Sequence, residues 1–119
     1  MEHSVVVGKK KGFGIVRIPP EVLGRMGVTL GQDSTPVYFV PGGLLGGLPE
    51  RIYVFSLRDL PKFPDDDSAL TRQFSMRCSM SCVRPKGEVD VQTHVLGIAG
   101  IQRGEQVSFS RDGIGEYFT

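Results

Sequence analysis

The sequence has no tryptophan, only two cysteines and two histidines in 119 residues, and no run of about 20 apolar residues. The missing run excludes a membrane-spanning helix, and no short hydrophobic segment of the secretory-leader kind appears. Cys78 and Cys82, with His3 and His94, are too few and too scattered for a zinc site; they imply reduced thiols and a cytoplasmic protein. No nucleophile and base, paired carboxylates or metal ligands converge in the sequence, so neither an enzyme nor a bound cofactor is expected. The glycine-rich Pro41–Pro49 lacks the Lys-Ser/Thr of a phosphate loop and reads as a flexible hairpin connection, while Asp65–Asp67 is not spaced as a calcium loop and suits a helix start.

The net charge is only +1, which by itself predicts neither nucleic acid nor membrane. The charges are nevertheless segregated. Residues 1–28 hold five Lys/Arg against two acids, and residues 72–87 hold Arg72, Arg77, Arg84 and Lys86 with no acid. The stretches 29–71 and 88–119 are each net −3. The two basic blocks either share one surface or are two solvated loops.

What the chain does have is an internal repeat. Residues 14–31 return, without a gap, as residues 87–104, an offset of 73. Gly14, Val16, Val22, Leu23, Gly24, Gly27 and Gly31 are matched by Gly87, Val89, Val95, Leu96, Gly97, Gly100 and Gly104. Two copies, rather than an array, imply one pseudo-symmetric domain over 1–119. Repeat one covers about 5–55, a helical linker about 56–73, and repeat two about 74–119.

Each repeat reads as strand, short helix, glycine stop and returning strand. Gly14–Ile18 and Glu88–Val91 are β-rich and glycine-bounded. Pro19 and Pro20 suit a helix start, and Thr93 is the candidate N-cap of the second helix. Val22, Leu23 and Met26, matched by Val95, Leu96 and Ala99, form the buried stripe, with Gly27 and Gly100 as left-handed stops. The chain then returns in Val37–Val40 and Val107–Ser110 and closes in Arg51–Phe55 and Gly115–Phe118. Ser56–Leu60 and Asp65–Gln73 are candidate helices. Along 74–82, Phe74, Met76, Cys78, Met80 and Cys82 alternate with polar residues, which predicts a half-buried strand with both thiols inward.

The stretch from Ile15-Val-Arg-Ile-Pro-Pro to Met26-Gly-Val-Thr-Leu-Gly31 resembles the AbrB-type looped-hairpin motif, and two such motifs about 73 residues apart resemble the MraZ family. Arg51–Leu60 and Gly113–Phe118 extend the resemblance over nearly the whole chain. It implies a mainly β fold with short helices (α+β), a pseudo-symmetric swapped-hairpin barrel, ring assembly, and sequence-specific DNA binding by a transcriptional regulator. At the family's Asp-x-Lys-Gly-Arg signature the first repeat has Lys11, Phe13, Gly14 and Ile15, and the second has Arg84, Lys86, Gly87 and Glu88. Arg84 and Glu88 form a charge-inverted pair able to bridge.

Three function classes follow. In the first, Lys9, Lys10, Lys11, Arg84 and Lys86 contact duplex phosphates, and specificity needs Arg17, Arg77 or Lys86 at base edges, Arg17 pointing away from the core; such a protein is nucleoid-associated. In the second, the chain is a non-catalytic oligomeric assembly or protein-interaction barrel that has lost DNA binding. The third is an enzyme or recognition domain on a related small barrel, for which no catalytic group is identified. The expected partners are duplex DNA and further copies of the chain, in a homo-oligomer larger than a dimer. A membrane is not among them.

Overall fold

The computed structural model describes residues 3–28, 36–56 and 79–119. Along the chain they form β1 (His3–Val6), β2 (Gly8–Lys10), β3 (Phe13–Arg17), α1 (Pro20–Met26), β4 (Pro36–Pro41), a 3-10 turn (Gly42–Leu45), β5 (Ile52–Ser56), β6 (Ser79–Cys82), β7 (Glu88–Gln92), α2 (Thr93–Ile98), β8 (Gln106–Arg111) and β9 (Glu116–Phe118). The fold is mainly β. A curled half-barrel sheet runs β1-β8-β9-β5-β4-β6, and a smaller sheet runs β2-β3-β7.

The register makes the repeat visible in space. β3 and β7 are antiparallel with Val16 opposite Val89, its own counterpart at offset 73. The pair Arg17–Glu88 is carried by that offset onto the pair Asp90–Ile15, so this ladder is two-fold symmetric about Val16 and Val89. In the larger sheet the closing strands β5 and β9 meet with Tyr53 opposite Tyr117. Outward from that centre each side continues with a return strand and a first strand. The first strands are exchanged: β1 pairs with β8 of the second half, and β6 with β4 of the first.

Between the sheets most of the side chains that alternate inward are apolar. Val16, Val89 and Val91 are fully buried from one sheet, and Phe39, Phe109 and Phe118 from the other are at most 2% exposed. Phe118 lies edge-on to Phe39 at 6.3 Å and tilted against Phe109 at 5.4 Å. Burying each ring contributes about 1.5–3 kcal/mol. Helices of seven and six residues have almost no stability of their own. They are held by Val22, Leu23, Val95 and Leu96, all buried. Both end alike: Gly27 and Gly100 adopt φ of 76° and 72°, and the next amides, Val28 and Ile101, each donate back to Leu23 and Leu96 at 2.9 Å.

Several expectations need correction. In β6 the alternation has the opposite sense: Ser79 is buried, whereas Met80 and Cys82 are exposed. Ser79 and Ser81 pair with Phe39 and Val37, which already fill the core side of β4, so the small serines share that face and the larger side chains turn outward. Thr93 is not an N-cap; Gln92 precedes the helix, and the Thr93 amide and hydroxyl both donate to the Gly12 carbonyl. Ser56 ends β5 rather than starting a helix. The Pro41–Pro49 connection contains the 3-10 turn, and its Leu44 and Leu45 pack on Val40, Tyr53, Phe55 and Tyr117 outside the larger sheet. The rest of Ser56–Leu60, the Asp65–Gln73 helix, Arg72, Arg77, Cys78 and the start of the 74–82 strand lie outside the described residues.

On that outer side the Tyr53 hydroxyl donates to Asp112, which also pairs with Arg51 at 2.6 Å. Burial alone would raise the Asp112 carboxyl, but the bonds from Tyr53, the Ile114 and Gly115 amides and Arg51 outweigh it and hold the carboxyl below its ordinary value. A carboxylate lowered in the folded state stabilises above its unfolded pKa, near 4, and loses that contribution as pH falls through the lower folded value. The melting temperature should therefore drop on acidification below about pH 4, and Asp112→Asn should flatten part of that dependence. An unchanged pH profile in the variant would refute the assignment.

Candidate nucleic-acid interface

The basic residues singled out by the sequence gather around the smaller sheet. β2 and β3 are joined by a tight turn at Lys11-Gly12, and β6 leads to β7 through Arg84–Gly87. Gly87, at φ 82°, closes the second turn and accepts from the Ile18 amide, which fixes that turn beside the end of β3. The first turn is fixed at the opposite end, where Gly12 accepts from Thr93. Five residues of β3 at about 3.4 Å each separate the two tips by about 17 Å.

Alternation along the strands sorts the side chains. Val16, Val89 and Val91 turn inward, so Phe13, Ile15 and Arg17 of β3 and Glu88, Asp90 and Gln92 of β7 form the outward face. Lys10 is opposite Phe13 and shares this face, with its ammonium 5.7 Å from the Phe13 ring centre. Lys9 is opposite Gly14 and lies on the other face. There it lines a groove of about 430 Å³ with Thr93, Leu96, Ile101, Gln102 and Arg103. The three consecutive lysines are therefore not one patch.

On the outward face Lys10 Nζ lies 2.8 Å from Asp90 Oδ2, and Arg84 Nη1 lies 2.9 Å from Asp90 Oδ1. Arg84 thus bridges to Asp90, not to Glu88; its link to Glu88 is through the backbone, amide to carbonyl at 3.0 Å. Partial burial pushes the Asp90 carboxyl up, but the two cations outweigh this and hold it below the ordinary carboxylate value. The Asp90 amide in turn donates to Ser81 Oγ at 2.9 Å, tying β7 to β6. Arg17 is exposed as expected, and its Nε donates to the Lys86 carbonyl at 3.0 Å, so the strand end and the second turn are linked. Lys11 and Lys86 are exposed and take no carboxylate partner among the described residues.

Sequence reasoning passed over two residues here, Arg103 on the groove side and Asp90 on the outward face. Arg103 Nη1 donates to the Lys10 carbonyl at 2.9 Å and stands with Lys9 on the groove. Asp90 is the shared partner of Lys10 and Arg84. Arg103 and Lys10 are 93 positions apart, and Asp90 and Lys10 are 80 apart, so no local pattern announces either contact. One signal was available: Asp90 is the lone acid in Val-Asp-Val, at the position where the first repeat has Arg17.

Among the described residues no three His, Cys, Asp or Glu side chains converge as a metal site, and no helix is long and apolar enough to cross a membrane. His94 is exposed on α2. Comparison with family models, with curated proteins and with solved structures finds no match to this chain.

Proposed function

We propose that this chain is a DNA-binding transcriptional regulator of the MraZ/AbrB type, meeting duplex DNA with the outward face of the β2-β3-β7 sheet. The observation that carries the reading is the two-fold register about Val16 and Val89, which sets a basic turn at each end of one exposed face. Duplex DNA has local dyads, and a protein with its own two-fold addresses the two sides of such a dyad with equivalent elements. The exchange of first strands between the halves supports the swapped-hairpin barrel. Lys11 and Lys86 are the phosphate contacts at the tips, and Arg17, at the end of β3 beside the second tip, is the base-edge contact. Lys10 and Arg84 enter only as far as Asp90 releases them, and Lys9 approaches from the side of the groove.

A second reading is a homo-oligomeric assembly module, with a ring as its closed form. It is favoured by Val6 and Met80, which are 64% and 57% exposed on β1 and β6, the outermost strands of the larger sheet. One experiment separates the two: sedimentation and light scattering at tens of micromolar, with and without random-sequence duplex at low salt. The regulator forms a complex that dissociates as salt rises; an assembly module keeps the same mass in both. For the regulator, Arg17→Ala should weaken binding by roughly 1–3 kcal/mol on a preferred duplex and much less on random DNA. Equal losses on both duplexes would make Arg17 a phosphate contact only.

A further inference from the structure

We infer that Asp90 is a specificity-determining residue, an internal counter-anion that withholds Lys10 and Arg84 from backbone phosphate; this rests on the DNA-binding reading. Lys10 comes from β2 of the first half and Arg84 from the turn before β7 in the second. Both reach one carboxylate, one on each oxygen, at 2.8 and 2.9 Å. The carboxylate is held in place, because its own backbone amide is bonded to Ser81 and its side chain is only 19% exposed.

Two cations converging on two oxygens of one anion make the arrangement a phosphate would receive, already filled from within. Cations satisfied in this way release few counterions when a duplex approaches, so they add little to sequence-independent affinity. Lys11 and Lys86, which have no carboxylate partner among the described residues, lie at the tips, away from the centre of the face. The centre is left close to neutral, and Arg17 projects from the end of β3 next to the second tip. The internal repeat sharpens the point. Asp90 is the counterpart of Arg17 under the offset of 73, so the second half presents an acid where the first presents an arginine. A two-fold scaffold thereby acquires a direction, with one half able to contact a base edge and the other closed by its own carboxylate.

The test compares wild type, Asp90→Asn and Asp90→Glu by fluorescence anisotropy on random duplex and on a duplex selected from a random pool, over a series of salt concentrations. Asp90→Asn should bind random duplex at least about tenfold more tightly near 0.1 M salt and steepen the salt slope by up to about 1.8, two contacts at about 0.9 each. The ratio of selected to random affinity should fall, and Asp90→Glu should restore wild-type values. A merely structural pair would move the melting temperature and leave the slope alone. An unchanged slope, with wild type binding DNA, overturns the inference and leaves the DNA reading standing. No binding by any of the three overturns both. Where Asp90→Asn fails to fold, single replacements serve instead. Lys10→Gln and Arg84→Gln should each change the slope far less than Lys11→Gln, which should lower it by about 0.9; equal losses would overturn the inference.

Discussion

A chain carrying Lys11→Glu and Lys86→Glu should bind duplex DNA at least about a hundredfold more weakly than wild type near 0.1 M salt, and should melt at the same temperature. The magnitude follows from counterion release: a slope of about 0.9 per phosphate contact makes each contact worth close to a factor of ten at that salt. The structure supplies the rest. Both lysines are exposed at turns, neither has a carboxylate partner among the described residues, and neither packs in the core. Their loss therefore removes charge without removing a fold contact, and the introduced carboxylates add repulsion. Lys9→Glu is the matched control, because Lys9 projects to the opposite face of β2 and should matter much less. If the double variant retains its affinity while Lys9→Glu loses it, the interface is the groove of Arg103 and not the hairpin face.

Replacing Gly14 with valine should destabilise the protein by about 3 kcal/mol or more, with Gly14→Ala falling at about 1–3 kcal/mol, measured by denaturant or thermal unfolding. A Cβ at Gly14 would stand 2.6 Å from Leu96 Cδ1 and 2.7 Å from Val7 Cγ1, both inside contact distance. Leu96 is 1% exposed and Val7 is fully buried, so neither has space to move into. The position also lies within β3, the central strand of the smaller sheet, so the backbone cannot shift without disturbing the ladders to β2 and β7. The chain entropy gained by removing a glycine, about 0.5–1 kcal/mol, does not offset the clash. Such a loss is a large share of a total stability of about 5–15 kcal/mol. Wild-type stability in Gly14→Val would mean that Val7, β3 and α2 pack more loosely than these distances imply.

Gly14 also marks how far the sequence could be read. It is matched by Gly87, and the match correctly located equivalent strands. The two glycines are nevertheless required for different reasons: Gly14 for the close approach of Leu96 and Val7, Gly87 for a backbone φ of 82° in the turn before β7. The helices and their glycine stops were legible because helix ends depend on residues within one turn of each other. β1 and β2 were not, since strands of four and three residues carry too little periodicity to register. The sense of β6 was not legible either. Alternating Met, Cys and Ser says that a strand has two faces, and only the partner strand β4, with Val37 and Phe39 already inward, settles which one is buried. Arg17 was recoverable from alternation on its own strand. The Lys10–Asp90–Arg84 cluster was not: Arg84 and Asp90 are six residues apart across one turn, but Lys10 comes from 80 positions away and meets them only through the β2–β3 and β3–β7 registers.

The exchange of first strands has a consequence for how the chain comes apart. β1 belongs to the first half but finds its ladder on β8, with Val5 against Val107, and β6 belongs to the second half but lies on β4. Neither half can melt while the other stays intact, because whichever unravels takes a strand out of its neighbour's sheet. Partial unfolding has no natural resting point between the two, so loss of structure should be a single cooperative event. The same separation makes formation slow relative to stability, since β1 gains nothing until residues near the far end of the sequence arrive to meet it.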